Sequence, residues 1–113
     1  LLQMHIFPCE NGDEFPKNQY TKWFDYDKIK GTLSLRHRQP GDYLTLPSGG
    51  RKTLKSWMID EKIPRQEREQ IWLLAEEKHI LWIVGHRISA YYKITEQTKT
   101  ILEVEFNGGK SSG

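Results

Sequence analysis

Leu33-Ser-Leu-Arg-His-Arg-Gln-Pro-Gly-Asp42, followed after six residues by Gly49-Gly-Arg-Lys-Thr-Leu-Lys55, decides the fold class of this chain. Leu33 and Leu35 alternate with Ser34, Arg36 and Arg38, the two-residue period of a strand that lays one face on a core. Both arginines then stand together on the opposite face, about 7 Å apart. His37 falls on the leucine face, where a lone histidine reads as a satisfied, partly buried residue and not as a ligand. Beyond the glycine turns, Leu54, Trp57 and Met58 recur at helical spacing, with Thr53 ahead of them as a capping residue. A strand, a turn and a helix start therefore follow one another, with cations on each.

The charge is unevenly spread. Between Lys28 and Lys55 seven lysines and arginines meet one acidic residue, Asp42, a local net charge of +6, while the rest of the chain carries −4. A basic, turn-rich surface of this kind suits an anionic partner such as nucleic acid. Lys52 and Lys55 lie near the helix start, where they oppose the helix dipole and where an anion would relieve them.

Short β-leaning runs cover residues 4–7, 23–26, 32–38, 43–46, 79–84, 90–94 and 101–106, most of them bounded by Gly, Pro, Asn or charged turns. Helical character is confined to the middle. After the Leu54 helix, Ile63-Pro64 marks a break, with Pro64 at the first position of a short polar helix over 65–70. Its Arg65 and Arg68 are exposed, either facing a partner or simply solvated. The expectation is an α+β fold: a compact, largely antiparallel β domain with one or two short central helices, spanning residues 1–106 as one unit. Residues 107–113, Asn-Gly-Gly-Lys-Ser-Ser-Gly, hold no apolar side chain and read as a disordered tail.

A chain of 113 residues with 12% aromatic content can bury one core without metal or disulfide staples. The single Cys9 excludes an internal disulfide and fits a reducing compartment, so the expected location is the cytoplasm. No run approaches the roughly 20 apolar residues of a membrane helix, and no membrane partner is expected. The chain opens on Leu1-Leu-Gln, which reads as a piece of a longer polypeptide.

Catalytic and metal motifs fail in detail. Ser48-Gly-Gly-Arg-Lys-Thr53 resembles a phosphate loop, but a Walker loop needs glycine directly before the lysine and another five positions earlier, where Arg51 and Thr45 stand. His5 and Cys9 have a usable metal spacing, but the other histidines are scattered singly and no cysteine pair exists. No serine or cysteine sits in a nucleophile signature. No catalytic residue, metal ligand or cofactor is assigned within this chain. Trp57, Trp72 and Trp82 stand in apolar surroundings and read as core, whereas Tyr43 and Tyr91-Tyr92 either stack on a base or cover a sheet edge.

Taken in order, Leu35-Arg-His-Arg38, Gly41-Asp42, Gly50-Arg-Lys-Thr-Leu-Lys55, Ile59-Asp-Glu-Lys-Ile-Pro64, Arg68, Leu73-Leu74 and Ile80-Leu-Trp-Ile-Val-Gly-His-Arg-Ile88 resemble the C-terminal domain of the bacterial tRNA(Ile)-lysidine synthetases. Spacing holds from Leu33 to Thr98. The resemblance implies a parent ligase that uses ATP, with Mg, to attach lysine to the wobble cytidine of tRNA(Ile). That chemistry belongs to an N-terminal ATP-pyrophosphatase domain whose Ser-Gly-Gly-x-Asp-Ser loop is absent here, so this piece is expected to be non-catalytic. It implies a fold shared with a module of the phenylalanyl-tRNA synthetase β chain and a role in docking the tRNA acceptor stem. The nucleic-acid contacts expected from charge and resemblance together are Arg36, Arg38, Arg51, Lys52, Lys55, Arg65 and Arg87. Two positions depart from the family pattern: Tyr43 stands where a basic residue often follows Gly-Asp, and Trp72 where proline commonly precedes Leu-Leu. The competing reading is a structural or homodimerisation module without RNA contact, suggested by the abundance of Trp and Tyr.

Overall fold

A computed structural model of the chain describes residues 2–10, 14–16 and 18–107, so the tail expected at 107–113 lies, apart from Asn107, outside the described residues. The chain divides into two compact units, Leu1–Ile29 with Tyr92–Gly113, and Lys30–Tyr91.

In the first unit, β1 (Leu2–Pro8) and β2 (Thr21–Asp25) flank β9 (Thr100–Phe106), both antiparallel to it. Direct opposition puts Met4 with Val104, Ile6 with Leu102 and Phe24 with Leu102 on one face. Phe24, Leu102, Val104 and Phe106 are buried there, while Met4 and Ile6 on the edge strand stay 42% and 55% exposed. On the other face Trp23 meets the edge of Phe7 at 5.4 Å and donates its indole N–H to Glu103 at 2.9 Å. Buried Asp25 accepts from the Thr98 hydroxyl at 3.0 Å and from the Asp27 amide at 3.0 Å, which closes the short 3-10 turn Tyr26–Lys28.

The second unit is a six-stranded sheet with strand order β3 (Leu33–Arg36), β6 (Leu73–Glu76), β7 (His79–Ile83), β4 (Tyr43–Thr45), β5 (Arg51–Thr53), and β8 (Arg87–Ile88) paired to β7. Every pairing is antiparallel except the single β4·β7 contact at Tyr43 and His79. Helix α1 (Leu54–Asp60) and the short α2 (Arg65–Arg68) follow β5. Leu54, Trp57 and Met58 face inward onto Leu44, Leu73, Ala75, Ile80 and Ile83, so the helical spacing marks the buried face. Thr53 caps α1 by accepting from the Ser56 amide at 3.1 Å. The expected α+β fold, mostly antiparallel with two short helices, is the one observed.

Several local expectations are corrected. β3 ends at Arg36, because Gln39, Pro40 and the positive φ of Gly41 (89°) turn the chain away from the sheet. The alternation therefore does not carry through: His37 is exposed, stacked on Trp72 at 4.1 Å, and Arg38 leaves the strand face. Trp57 and Trp82 are core, as expected, while Trp72 is only half-buried. Residues 90–94 form no strand, since Ala90–Tyr92 is a 3-10 turn. Pro64 caps α2 from outside, with Arg65 as its first residue. Lys52 belongs to β5 and not to the helix.

Candidate nucleic-acid interface

All seven cations singled out from sequence lie in the second unit, whose eleven lysines and arginines face seven aspartates and glutamates, a net charge of +4. They do not form one patch. The turn 38–42, the start of α1 and α2 enclose a groove of about 870 Å³ lined by Arg38, Gln39, Pro40, Gly41, Asp42, Thr53, Leu54, Lys55, Arg65, Arg68 and Glu69.

The groove is framed by hydrogen bonds that leave little freedom in its walls. Asp42, its side chain 1% exposed, accepts from both arms of Arg36 at 2.9 Å and from the Gln39 amide at 2.8 Å. Its carbonyl accepts from the Leu54 amide at 2.8 Å, which ties the turn to the first residue of α1. Arg68 donates from Nε to the Ile63 carbonyl at 2.8 Å and holds α2 against the connection after α1. Arg38 reaches across to Glu69 through Nε at 2.7 Å and a terminal nitrogen at 2.6 Å. Glu69 is 64% exposed, so this pair contributes at most about 1 kcal/mol and can be exchanged for another anion.

Lining charge is thus graded. Asp42 is already matched by Arg36, and Glu69 is shared with Arg38, whereas Lys55 and Arg65 are exposed and make no ion pair among the described residues. Arg38, Lys55, Arg65 and Arg68 line one concave surface, and a polyanion entering it would meet two cations with no competing carboxylate.

The other sequence choices fall elsewhere. Arg36, expected on an exposed face, is turned inward: besides Asp42 it donates to the carbonyls of Glu77 at 2.6 Å and His37 at 2.9 Å. Its guanidinium is committed to the fold. Lys52 pairs with Asp60 of α1. Arg87, on β8, is exposed and does not line the groove. Arg51 lies over the Tyr43 ring at 4.5 Å, and Tyr43 stacks on His79 at 4.5 Å. Burial, and after it the Arg51 charge, hold His79 below its ordinary value of 6.5, with Glu76 pulling the other way. Sequence reasoning left Arg68 undecided and missed Glu69 and Gln39, because the contacts that place them span up to 39 positions and leave no local signature.

Among the described residues there is no group of three or more His, Cys, Asp or Glu placed to hold a metal ion, and no helix long and apolar enough to cross a membrane.

Comparison with known proteins follows the same residues. The family model described as the TilS substrate C-terminal domain matches residues 33–105. The tRNA(Ile)-lysidine synthase of Caldanaerobacter subterraneus subsp. tengcongensis is 46% identical over 106 residues, 93% of this chain and 23% of that protein. The synthases of Clostridium tetani (41%, covering 88% of this chain and 22% of that protein) and Dehalococcoides mccartyi (37%, 94% and 23%) are also similar. The chain therefore spans less than a quarter of the length of these curated relatives. Among solved structures, a crystal structure of a TilS C-terminal domain matches with a TM-score of 0.63 at 30% identity, over 92% of this chain and 82% of that one.

Proposed function

Because the chain belongs to the TilS substrate C-terminal domain family, we propose that it docks a tRNA body for a tRNA(Ile)-lysidine synthase, gripping the acceptor stem through phosphates. The observation that carries this reading is the groove in which Arg38, Lys55, Arg65 and Arg68 converge while only Glu69 remains as an accessible counter-charge.

Phosphate contacts are what such a surface does best. The deep, narrow major groove of an A-form stem keeps side chains from base edges, so cations on a rigid concave frame track backbone and 2′-hydroxyls and give modest selectivity. A weak grip is sufficient where a linker makes the second contact intramolecular. The parent enzyme, on this reading, performs ATP- and Mg-dependent lysine ligation to the wobble cytidine in its N-terminal ATP-pyrophosphatase domain, in the cytoplasm. This chain contributes orientation and no chemistry.

Titrating the 113-residue chain with tRNA(Ile) over a range of salt tests the reading. Four neutralised phosphates give a log-log slope of about −3 to −4. Absent or salt-insensitive binding overturns it.

A second reading, a dimerisation module, is favoured by one observation: Met4 and Ile6 project from an edge strand on the same face as the buried core residues Val104 and Leu102. Light scattering across concentration decides it, with a constant monomer mass excluding this role.

A further inference from the structure

Four planar groups form a row on the second unit, away from the groove lining. β4 lies between β5 and β7 in the sheet, so Arg51 of β5 and His79 of β7 approach Tyr43 of β4 from opposite sides. The register explains the placement. Tyr43 pairs directly with His79 on one side and with Thr53 on the other, and Arg51, two residues before Thr53, shares its face. Ring and guanidinium stand 4.5 Å apart, the two rings 4.5 Å apart at 24°, and the Tyr91 ring lies 5.1 Å from His79, tilted by 40°.

The row is held in place before any ligand arrives. The Nε2 of His79 lies 3.0 Å from the Thr45 hydroxyl and 3.4 Å from that of Ser89, and Ser89 in turn accepts from the Thr45 amide at 3.0 Å. Arg51 is exposed and makes no ion pair among the described residues. With its guanidinium carbon over the Tyr43 ring, Arg51 has its inner side covered by the ring, while its outer side and its charge are left to solvent. A flat, electron-rich π system that brings its own negative charge complements both features, and a nucleotide is such a ligand.

We propose that this row is a stacking platform for single-stranded RNA, in which an unpaired nucleobase lies on the outer face of the Arg51 guanidinium. The proposal rests on the RNA-binding reading given above, but it uses different residues and a different part of the RNA: the groove takes phosphates of a paired stem, the row takes a base. It also changes the role of Arg51 from point charge to plane.

Binding of the 113-residue chain to a fluorescent hexaadenylate and to an abasic hexamer of equal length and charge separates stacking from phosphate attraction. Hexaadenylate is expected to bind about tenfold more tightly, since one stacked base contributes on the order of a factor of ten. The exposed substitution Arg51→Lys keeps the charge and removes the plane, so it should erase that preference while changing abasic binding less than twofold. Lys55→Ala with Arg65→Ala should weaken both hexamers alike and leave the preference intact. Equal binding of the two hexamers, or a preference that survives Arg51→Lys, overturns the platform. Structured tRNA binding that ignores Lys55 and Arg65 overturns the groove reading instead, and leaves the adenylate preference standing.

Discussion

Arg36 and Asp42 are joined through both arms of the guanidinium, 2.9 Å on each side, with the aspartate side chain 1% exposed and the arginine 16%. The pair closes the turn that forms one wall of the groove, and the Asp42 carbonyl passes that restraint to the start of α1 through Leu54. Two residues that read from sequence as a phosphate contact and a turn acid form an internal brace.

Removing one partner leaves the other buried without its counter-charge. Arg36→Ala or Asp42→Ala should each destabilise the chain by about 3 kcal/mol. The double variant should lose clearly less than the sum of the two. Urea denaturation midpoints measure this, and additive losses would show that the two residues act separately.

Lys55 and Arg65 behave oppositely. Exposed and making no ion pair among the described residues, they can be replaced by alanine with stability changes within about 0.5 kcal/mol. Each substitution should lower the log-log salt slope of tRNA binding by roughly 1, across tRNA sequences alike. Affinity measured at three salt concentrations checks it, and a sequence-dependent loss would point to base contacts.

Much of the fold was legible because alternation and helical spacing appear where one face is buried. Leu54, Trp57 and Met58 announced α1, and Thr53 its cap. β6 escaped notice for the converse reason: Leu73, Leu74 and Ala75 are all 0% exposed, so no alternation marks the strand, and its pairing with β7 slips at a bulge between Leu74 and Ala75. β5 was hidden inside the basic run, where Lys52 read as a cation at the helix start.

The site was half legible. Composition located the basic segment, but sorting its cations depends on which carboxylate each one meets. Asp42 lies six positions from Arg36, Asp60 eight from Lys52 and Glu69 thirty-one from Arg38. Only folding brings those partners in, and it removes Arg36 and Lys52 from the free charge while leaving Lys55 and Arg65.

Trp57 gives a prediction about the α1 anchor. It is 4% exposed, and its indole N–H has no hydrogen-bond partner among the described residues. Trp57→Phe removes that donor and keeps most of the apolar volume, so stability should change by less than about 1 kcal/mol. Trp57→Ala opens a cavity and should cost about 3 to 5 kcal/mol. A large loss in the phenylalanine variant, read from thermal or urea unfolding, would mean the indole N–H is satisfied by bound water.

His79 should make stability depend on pH in a defined direction. Its surroundings are Tyr43 and Arg51 of the adjoining hairpin, Glu76 at its register partner on β6, Tyr91, and the hydroxyls of Thr45 and Ser89. Burial first, then Arg51, keep the folded imidazole below its ordinary 6.5 against the opposing pull of Glu76. The unfolded chain therefore holds more protons than the folded one from pH 6.5 down to the folded value, and stability falls as pH falls through that window. Above 6.5 the imidazole is neutral in both states and contributes no slope. Below the folded value both states are protonated and the loss is complete. Denaturation midpoints taken stepwise from pH 7.5 to 5 on the chain and on His79→Gln isolate the effect, since the carboxylates titrate in both proteins. The native chain should lose more stability than the variant, by well under the one-proton limit of about 1.4 kcal/mol per pH unit, because solvent screens the half-buried imidazole. Arg51→Ala, which removes the second cause of the shift, should narrow the difference, and parallel curves for the native chain and His79→Gln would contradict the assignment.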